Sequence, residues 1–197
     1  MMLRRTRLLV VALLLAAPAG AATWEADPAH SSVQFAIRHL MISTVRGEFS
    51  KFLAKATGDP ANPAGATIEA VIDASSIDTR NEKRDGHLKT PDFLDVAKFP
   101  AITFKSTKIE KAGEGKAKVT GDLTLHGVTK PVVLEVEGPT AVIKDPMGNT
   151  KAGAHATTKI NRKDFGITWN KSLDGGGLMV GEEIEITIDI EAVKQGE

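Results

Sequence analysis

The sequence predicts an all-β, mainly antiparallel fold, most simply a closed barrel of about eight strands with a short helical insert around residues 81–95. Alternating apolar and polar residues recur along the chain, several connections are only a few residues long, and one region alone has a helical pattern. Short connections make neighbouring strands antiparallel, because a parallel crossover needs about a dozen residues or more. A sheet with one apolar face and little helix to cover it closes most simply into a barrel, although a two-sheet sandwich predicts the same alternation.

The C-terminal segment has the clearest strand pattern. Residues 184–190 carry isoleucine at every second position, with acidic residues or threonine between them. Weaker alternation covers residues 33–38 and 68–74, and each pattern indicates a strand with one dry and one wet face. Turn residues at 113–115 and at 126–127 separate three further apolar segments, which predicts two consecutive hairpins.

Residues 81–107 contain the helical insert. Asn81 is placed to cap a helical turn that runs through Leu88, and a second short helix is expected after Thr90. The Phe99-Pro100 pair ends the helical region before the next strand. The insert also contains the acids and the histidine that would matter most for chemistry: Asp85, His87, Asp92 and Asp95.

The first 22 residues have the order of a secretory signal peptide. Arginines at positions 4, 5 and 7 precede an apolar run over residues 8–17, and small residues follow at 19–22. We expect cleavage after Ala21 or Ala22, which would leave residues 23–197 as a single exported domain in the periplasm. The apolar run is too short for a membrane span, which needs about 20 residues.

Composition excludes several classes of protein. Without residues 1–22 the net charge is near −3, because three of the 25 basic residues are removed and all 25 acidic residues remain. That charge, with no basic run, argues against nucleic acid as a partner. There is no cysteine, and hence no disulfide or acylated cysteine.

Catalysis is the less favoured interpretation of the polar residues. No serine lies in a G-x-S-x-G elbow, and Gly175-Gly176-Gly177 lacks the lysine of a phosphate loop. A hydrolase acting on a lipid or small ester would have to use His87 with Asp85 or Asp92. Helix capping and pairing with neighbouring lysines explain the same residues. A metal site assembled from separate strands, or a protein-interaction barrel, remains a third hypothesis.

The inward apolar residues of a closed barrel leave two possibilities. Residues such as Phe35, Ile37, Phe104, Leu123 and Leu125 either pack into a solid core or surround a tubular dry cavity. Such a cavity would bind a long hydrocarbon chain at about 25 cal/mol per Å² of buried apolar surface. Periodicity does not separate these two possibilities.

Several long motifs follow one another along the chain. They are WEADPAHS at 24–31, VQFAIRHL at 33–40, VRGEF at 45–49, IDT at 77–79, RDGHL at 84–88, DFLD at 92–95, FPAITF at 99–104, GDLTLHGVTKP at 121–131 and NRKDFG at 161–166. In this order, the motifs resemble the YceI family of lipid- or polyisoprenoid-binding proteins. The resemblance implies a lipocalin-like antiparallel barrel whose pore holds an isoprenoid chain of the quinone or polyprenyl phosphate type, or a similar amphiphilic lipid. It also implies a periplasmic, non-enzymatic role in transport, storage or stress response, with a possible homodimer.

The same match suggests which residues would meet the lipid, with no catalytic residue, no metal and no cofactor other than the lipid itself. Leu94 stands where many relatives have phenylalanine, which would widen the pocket. Residues 81–107 then become the wall or lid of a lipid pore. The expected chain contacts are Phe35, Ile37, Phe49, Phe93, Leu94, Phe99, Phe104, Leu123 and Leu125, and the candidates for a polar head group are His39, Arg46, Arg84 and His87.

Overall fold

The computed structural model of the protein describes residues 21–174 and 176–196. The predicted signal peptide, residues 1–22, therefore lies outside the described residues except for its last two positions. No helix in the part described is long and apolar enough to cross a membrane.

The described chain forms twelve strands and one α-helix. A 3₁₀ turn at Ala74–Ser76 precedes β6, and another at Arg162–Phe165 follows β11. The helix α1 spans Glu82–Leu88. The strands are β1 (Thr23–Ala26), β2 (Ser32–His39), β3 (Ser43–Phe49), β4 (Phe52–Asp59), β5 (Asn62–Asp73), β6 (Ile77–Asp78), β7 (Ala101–Gly113), β8 (Lys116–Leu125), β9 (Val128–Glu137), β10 (Ile143–Lys144), β11 (Thr150–Asn161) and β12 (Val180–Lys194).

Eight of these strands close into a barrel, in the order β1, β4, β5, β7, β8, β9, β11 and β12. Every neighbouring pair is antiparallel, and β12 completes the ring by pairing with both β11 and β1. The predicted barrel is therefore confirmed, and the sandwich alternative is wrong. Closure leaves no sheet edge along the ring, which removes the unpaired backbone groups that an open sheet exposes.

The length of β12 allows the barrel wall to continue beyond the ring. Its 15 residues pair with β1 near the C-terminus and with β2 over most of the remaining length. Strands β3 and β6 follow β2 and extend this part of the wall. We call the end that carries α1 and the 3₁₀ turn Arg162–Phe165 the helix end, and the end that carries the β4–β5 and β7–β8 turns the turn end.

The helical insert follows the prediction at its start and departs from it afterwards. The Asn81 side chain accepts a hydrogen bond from the Arg84 N–H at 3.0 Å, so the expected N-cap forms. The second short helix does not form, and residues 90–98 make successive turns. Asp95 adopts a left-handed conformation with φ of 45°, which interrupts helical geometry. The Leu94 N–H instead bonds to the Leu88 carbonyl and folds this segment back onto α1.

Candidate functional site: an apolar cavity along the barrel

A cavity of about 290 Å³ occupies the barrel interior toward the helix end. Its wall is formed almost wholly by apolar side chains that alternate inward along the strands. Many of these side chains, including Phe35, Phe104 and Ile186, are only half-buried although they face the interior. The barrel therefore surrounds open space and does not have a solid core.

Small inward residues explain why space remains. Alanines at positions 54, 70, 154 and 156 face the cavity where a larger side chain would fill it. Ala54 and Ala70 are paired across β4 and β5, so this part of the wall is recessed. The isoleucines of β12 also line the cavity, and their alternation in the sequence had indicated this dry face.

All but one of the predicted chain contacts line this cavity. Phe99 does not belong to the lining. Its ring packs edge-on against His126, with centroids 4.9 Å apart, and lies close to Gly127 outside the cavity. Contact between any of these residues and a lipid stays a prediction. The residues that line the cavity are Phe35, Ile37, Phe49, Phe93, Leu94, Phe104, Leu123 and Leu125.

Two glycines position the aromatic rings of the wall. Gly47 pairs with Phe35 across β2 and β3, and a Cβ at Gly47 would lie 2.6 Å from the Phe35 Cζ. A Cβ at Gly121 would lie 2.6 Å from both the Phe104 Cε2 and the Lys105 carbonyl oxygen. Each ring thus occupies space that only glycine leaves free, and this requirement had no signal in the strand periodicity.

Aromatic packing covers the helix end. Phe93 is buried in the core cluster together with Leu94, Phe165 and Ile167. Its ring centroid lies 5.1 Å from that of Trp169, and both rings contact the His87 imidazole edge-on at 5.0 Å. This packing supports the prediction that the insert forms one wall of the cavity.

A buried threonine anchors α1 to the barrel wall. The Thr79 N–H and hydroxyl both donate to Asp85 Oδ1, at 3.0 and 2.5 Å. Arg84 donates from Nε to the Thr79 hydroxyl at 2.7 Å and from Nη2 to the Thr79 carbonyl at 2.8 Å. Asp85 and Arg84 therefore act as structural anchors of the insert.

The predicted head-group candidates lie outside the cavity lining. Arg84 is engaged by Thr79, whereas His39 is half-buried at the end of β2 and Arg46 is exposed on β3. His87 pairs through Nε2 with Asp92 Oδ2 at 2.8 Å, and both side chains are nearly half exposed. A head-group role for these four residues stays a prediction, and in this arrangement it requires the head group to lie outside the apolar cavity.

The same geometry bears on catalysis. His87 and Asp92 form the kind of pair that a general base uses, but Asp85 is bonded to Thr79 and not to His87. Within residues 21–174 and 176–196, no hydrogen bond joins the His87 imidazole to a serine or threonine hydroxyl, and the neighbouring Thr90 hydroxyl donates instead to the His87 carbonyl oxygen at 2.8 Å. The structure thus brings His87 together with Asp92, which is one of the two alternative acids that the hydrolase hypothesis names.

Arg162 is a buried cation that the sequence had not singled out as a site residue. Its side chain is 1% exposed, and it donates to the carbonyl oxygens of Ile167 at 2.7 Å and Gly181 at 2.8 Å. Burial lowers the pKa of the Arg162 guanidinium, and the nearby Glu182 carboxylate partly opposes this effect. Because the guanidinium binds backbone on both sides, Arg162 fastens the loop after β11 to the start of β12.

A second cavity of about 200 Å³ lies toward the turn end. The two cavities adjoin each other inside the barrel, because six residues line both. No signal in the sequence had indicated this second cavity, although alternation places Trp24 and Ala26 on one face of β1. Its wall contains Trp24, Pro60, Pro63 and Pro139, and the residues shared with the first cavity are Ala54, Ile68, Val119, Val136, Ala154 and Ile190.

A charged cluster lies on the wall near the turn end. His30 Nδ1 contacts Asp27 Oδ2 at 2.8 Å, and this hydrogen bond raises the pKa of His30 and lowers that of Asp27. Among the described residues, Asp27, His30 and Glu191 are the group whose donor atoms lie close enough to hold a metal ion. The Lys151 ammonium group lies 2.7 Å from Glu191 and 3.6 Å from Asp27, and already supplies positive charge there.

The fold and the site together define a closed antiparallel barrel with an elongated apolar cavity. The chain belongs to the YceI-like domain family, which matches residues 24–192. It is 40% identical over 158 residues to a UPF0312 protein of Vibrio cholerae serotype O1, covering 80% of this chain and 83% of that protein. The expected family is confirmed.

Solved structures share the same barrel. The YCEI protein of Campylobacter jejuni is 35% identical, with a TM-score of 0.69 over 81% of this chain and 91% of that one. A polyisoprenoid-binding domain from Saccharophagus degradans has a TM-score of 0.61 over 87% of this chain and 98% of that domain. At 15% identity, the latter likeness shows the fold alone. The expected lipocalin-like barrel is confirmed.

Proposed function

We propose that this protein is a non-enzymatic binding protein for a long-chain amphiphilic lipid, of the isoprenoid type found in quinones or polyprenyl phosphates. The observation that carries the proposal is the pair of adjoining cavities with almost wholly apolar walls inside the barrel. A ligand site is usually a cavity of about 300 to 1,000 Å³ with a few polar groups. This cavity is unusually poor in polar groups, and therefore suits a chain better than a compact polar substrate.

Transfer of apolar surface from water supplies the binding energy. At about 0.8 kcal/mol per buried methylene, a chain of about ten carbons gains close to 8 kcal/mol before the cost of ordering it. The polyisoprenoid-binding domain of Saccharophagus degradans, which has the same fold, supports an isoprenoid chain as the ligand. Transport or storage in the periplasm after signal-peptide cleavage is part of this proposal.

Native mass spectrometry of protein purified from a periplasmic extract tests the proposal directly. We expect an added mass that is released by organic solvent and identified in the extract as an amphiphile with a long apolar chain. Protein from which the lipid has been removed should bind the same lipid again when the lipid is added from a methanol stock. Protein that is always empty, and that takes up no isoprenoid or fatty amphiphile, would refute the proposal.

The alternative is a periplasmic hydrolase acting on a lipid or small ester. It rests on the His87–Asp92 pair, which lies beside Phe93 at the helix end of the cavity. This alternative requires ester turnover that is lost in His87→Ala, while the thermal unfolding midpoint stays close to that of the wild type. If His87→Ala alters only the retention of a bound lipid, the hydrolase alternative is wrong.

A further inference from the structure

The turn between β2 and β3 holds apolar residues in an unfavourable backbone conformation. Leu40 and Met41 both have left-handed φ values, of 52° and 62°. The Ile42 N–H closes the turn by donating to the His39 carbonyl oxygen at 3.2 Å. Asparagine and glycine are the usual residues in a turn of this kind, because a bulky side chain is strained at positive φ. We call residues 40–42 the β2–β3 tip, and local backbone geometry does not explain its bulky apolar residues.

Two side chains of the β2–β3 tip point into solvent. Met41 is 56% exposed and Ile42 is 79% exposed, so neither contributes to the core. The Leu40 N–H donates to the Met179 carbonyl oxygen at 2.7 Å, which holds the tip against the segment before β12. Adjacent large apolar side chains that water surrounds are unfavourable, and they indicate contact with another apolar surface.

Cations lie beside the tip. The Arg38 guanidinium donates from Nη2 to a carbonyl oxygen of the tip at 2.8 Å, and Lys171 is exposed in the segment before β12. In the part of the chain that the structure describes, neither cation forms an ion pair with a carboxylate. Asp174 is the single acidic residue in the sequence of residues 38–44 and 171–179. Two cations and one acid leave this surface with a net charge of about +1, whereas the protein without its first 22 residues is negative.

The tip adjoins the larger cavity at the helix end. Val180 pairs with His39 across β12 and β2, and Ile37 lies two positions before His39. Val180 and Ile37 both line the cavity of about 290 Å³. Arg162, in the 3₁₀ turn of the helix end, donates to the Gly181 carbonyl oxygen at 2.8 Å. A surface that binds the tip therefore meets the barrel at the end where the larger cavity lies.

The size and charge of the tip fit a bilayer better than a protein surface. A stable protein interface buries about 800 Å² on each partner, and two side chains at one turn supply only a small part of that area. Binding at a bilayer interface requires less, because a few apolar side chains enter the acyl region while neighbouring cations meet anionic lipid phosphates. The exposed apolar pair and the unpaired cations of the tip match these two requirements.

We propose that the β2–β3 tip docks the protein on a bilayer that contains anionic phospholipid, with Met41 and Ile42 inserted among the head groups. Arg38 and Lys171 then bind lipid phosphates at the bilayer surface. Docking brings the helix end of the barrel against the membrane. This contact is separate from the binding of a lipid in the cavity and goes beyond it.

Flotation with vesicles tests the docking. Protein purified from a periplasmic extract is mixed with vesicles of equal parts phosphatidylcholine and phosphatidylglycerol, or of phosphatidylcholine alone. We expect binding to the anionic vesicles that weakens in high salt, and weaker binding to the neutral vesicles. Ile42→Ser should weaken binding to the anionic vesicles about tenfold, and Lys171→Gln about fivefold. Both side chains are exposed, so the unfolding temperature should not fall in either variant.

Met147 supplies the matched control, because it is 82% exposed at a different turn, between β10 and β11. Met147→Ser should bind vesicles as the wild type does. All these proteins share one N-terminus, so a difference between them reports on the substituted turn. The chain has no cysteine, which allows an environment-sensitive dye to be placed at Ser43→Cys or at Met147→Cys. Anionic vesicles should shift the dye emission to the blue at position 43 and leave it unchanged at position 147.

Several results would overturn the docking proposal. These are a wild type that binds neither kind of vesicle, an Ile42→Ser variant that binds as tightly as the wild type, and a Met147→Ser variant with the same loss as Ile42→Ser. A lower sedimentation mass of Ile42→Ser without lipid would show that the tip contacts a second copy of the chain, and would also overturn it. Uptake of an isoprenoid from a methanol stock should be equal in the wild type and Ile42→Ser, so docking and the proposed function stand or fail independently.

Discussion

A phenylalanine at position 54 should shorten the longest chain that the barrel can hold. Ala54 faces the region shared by the two cavities, and its β5 partner Ala70 is equally small. The added ring would occupy the junction and separate the cavity of about 290 Å³ from that of about 200 Å³. A chain that passes through the wild-type junction would have to stop there in Ala54→Phe.

The size of the effect follows from the methylenes excluded. Each one withdrawn from the cavity costs about 0.8 kcal/mol, which is about a fourfold loss of affinity. Excluding four of them would weaken binding of a long chain by about 200-fold, whereas a short chain that ends before the junction would bind as before. Because the new ring fills open space, stability should change little.

The assay is a titration of wild type and Ala54→Phe with isoprenoid alcohols of increasing length. Affinity should rise with length in both proteins and stop rising at a shorter length in the variant. Leu53→Phe is the matched control, since Leu53 is the adjacent residue on β4 and is 78% exposed on the outer face. The reasoning is refuted if both proteins reach the same limiting length, or if Leu53→Phe shows the same loss.

Two other changes test the packing and the charges of the barrel. Gly121→Ala should destabilise the protein by about 1–3 kcal/mol, because its Cβ would lie 2.6 Å from the rigid Lys105 carbonyl oxygen. A Cβ at Gly65 would meet open space, so Gly65→Ala should leave the free energy of unfolding unchanged or slightly higher. If Gly121→Ala and Gly65→Ala change stability equally in urea denaturation, the packing argument is contradicted. His30→Gln should destabilise the protein in a pH-dependent way. The contribution of His30 is complete below its ordinary pKa of 6.5 and is lost as pH rises through its raised pKa. The contribution of Asp27 is present above its ordinary pKa of 3.8 and is lost as pH falls through its lowered pKa. The difference in unfolding temperature should therefore be largest between about pH 4 and 6.5, and a constant difference across pH would count against the pair.

Some features of the site could be predicted from the sequence, and others depend on the tertiary structure. Alternation identified the inward positions of β2 and β7, so Phe35 and Phe104 were found to face the cavity. Phe99 does not line the cavity, and it follows a turn in which Asp95 is left-handed, for which the sequence has no clear signal. Gly47 and Gly121 were present in the motifs, but their role depends on rings that lie across a neighbouring strand.

Local rules within the sequence determined the strands, the dry face of residues 184–190 and the Asn81 cap, because the pleat and the first helical turn depend on residues a few positions apart. The tertiary structure alone decided that β12 closes the ring onto β11 and that the interior remains open. An open interior depends on the summed volume of side chains from eight strands, and the alanines at 54 and 154 come together only after the barrel has closed.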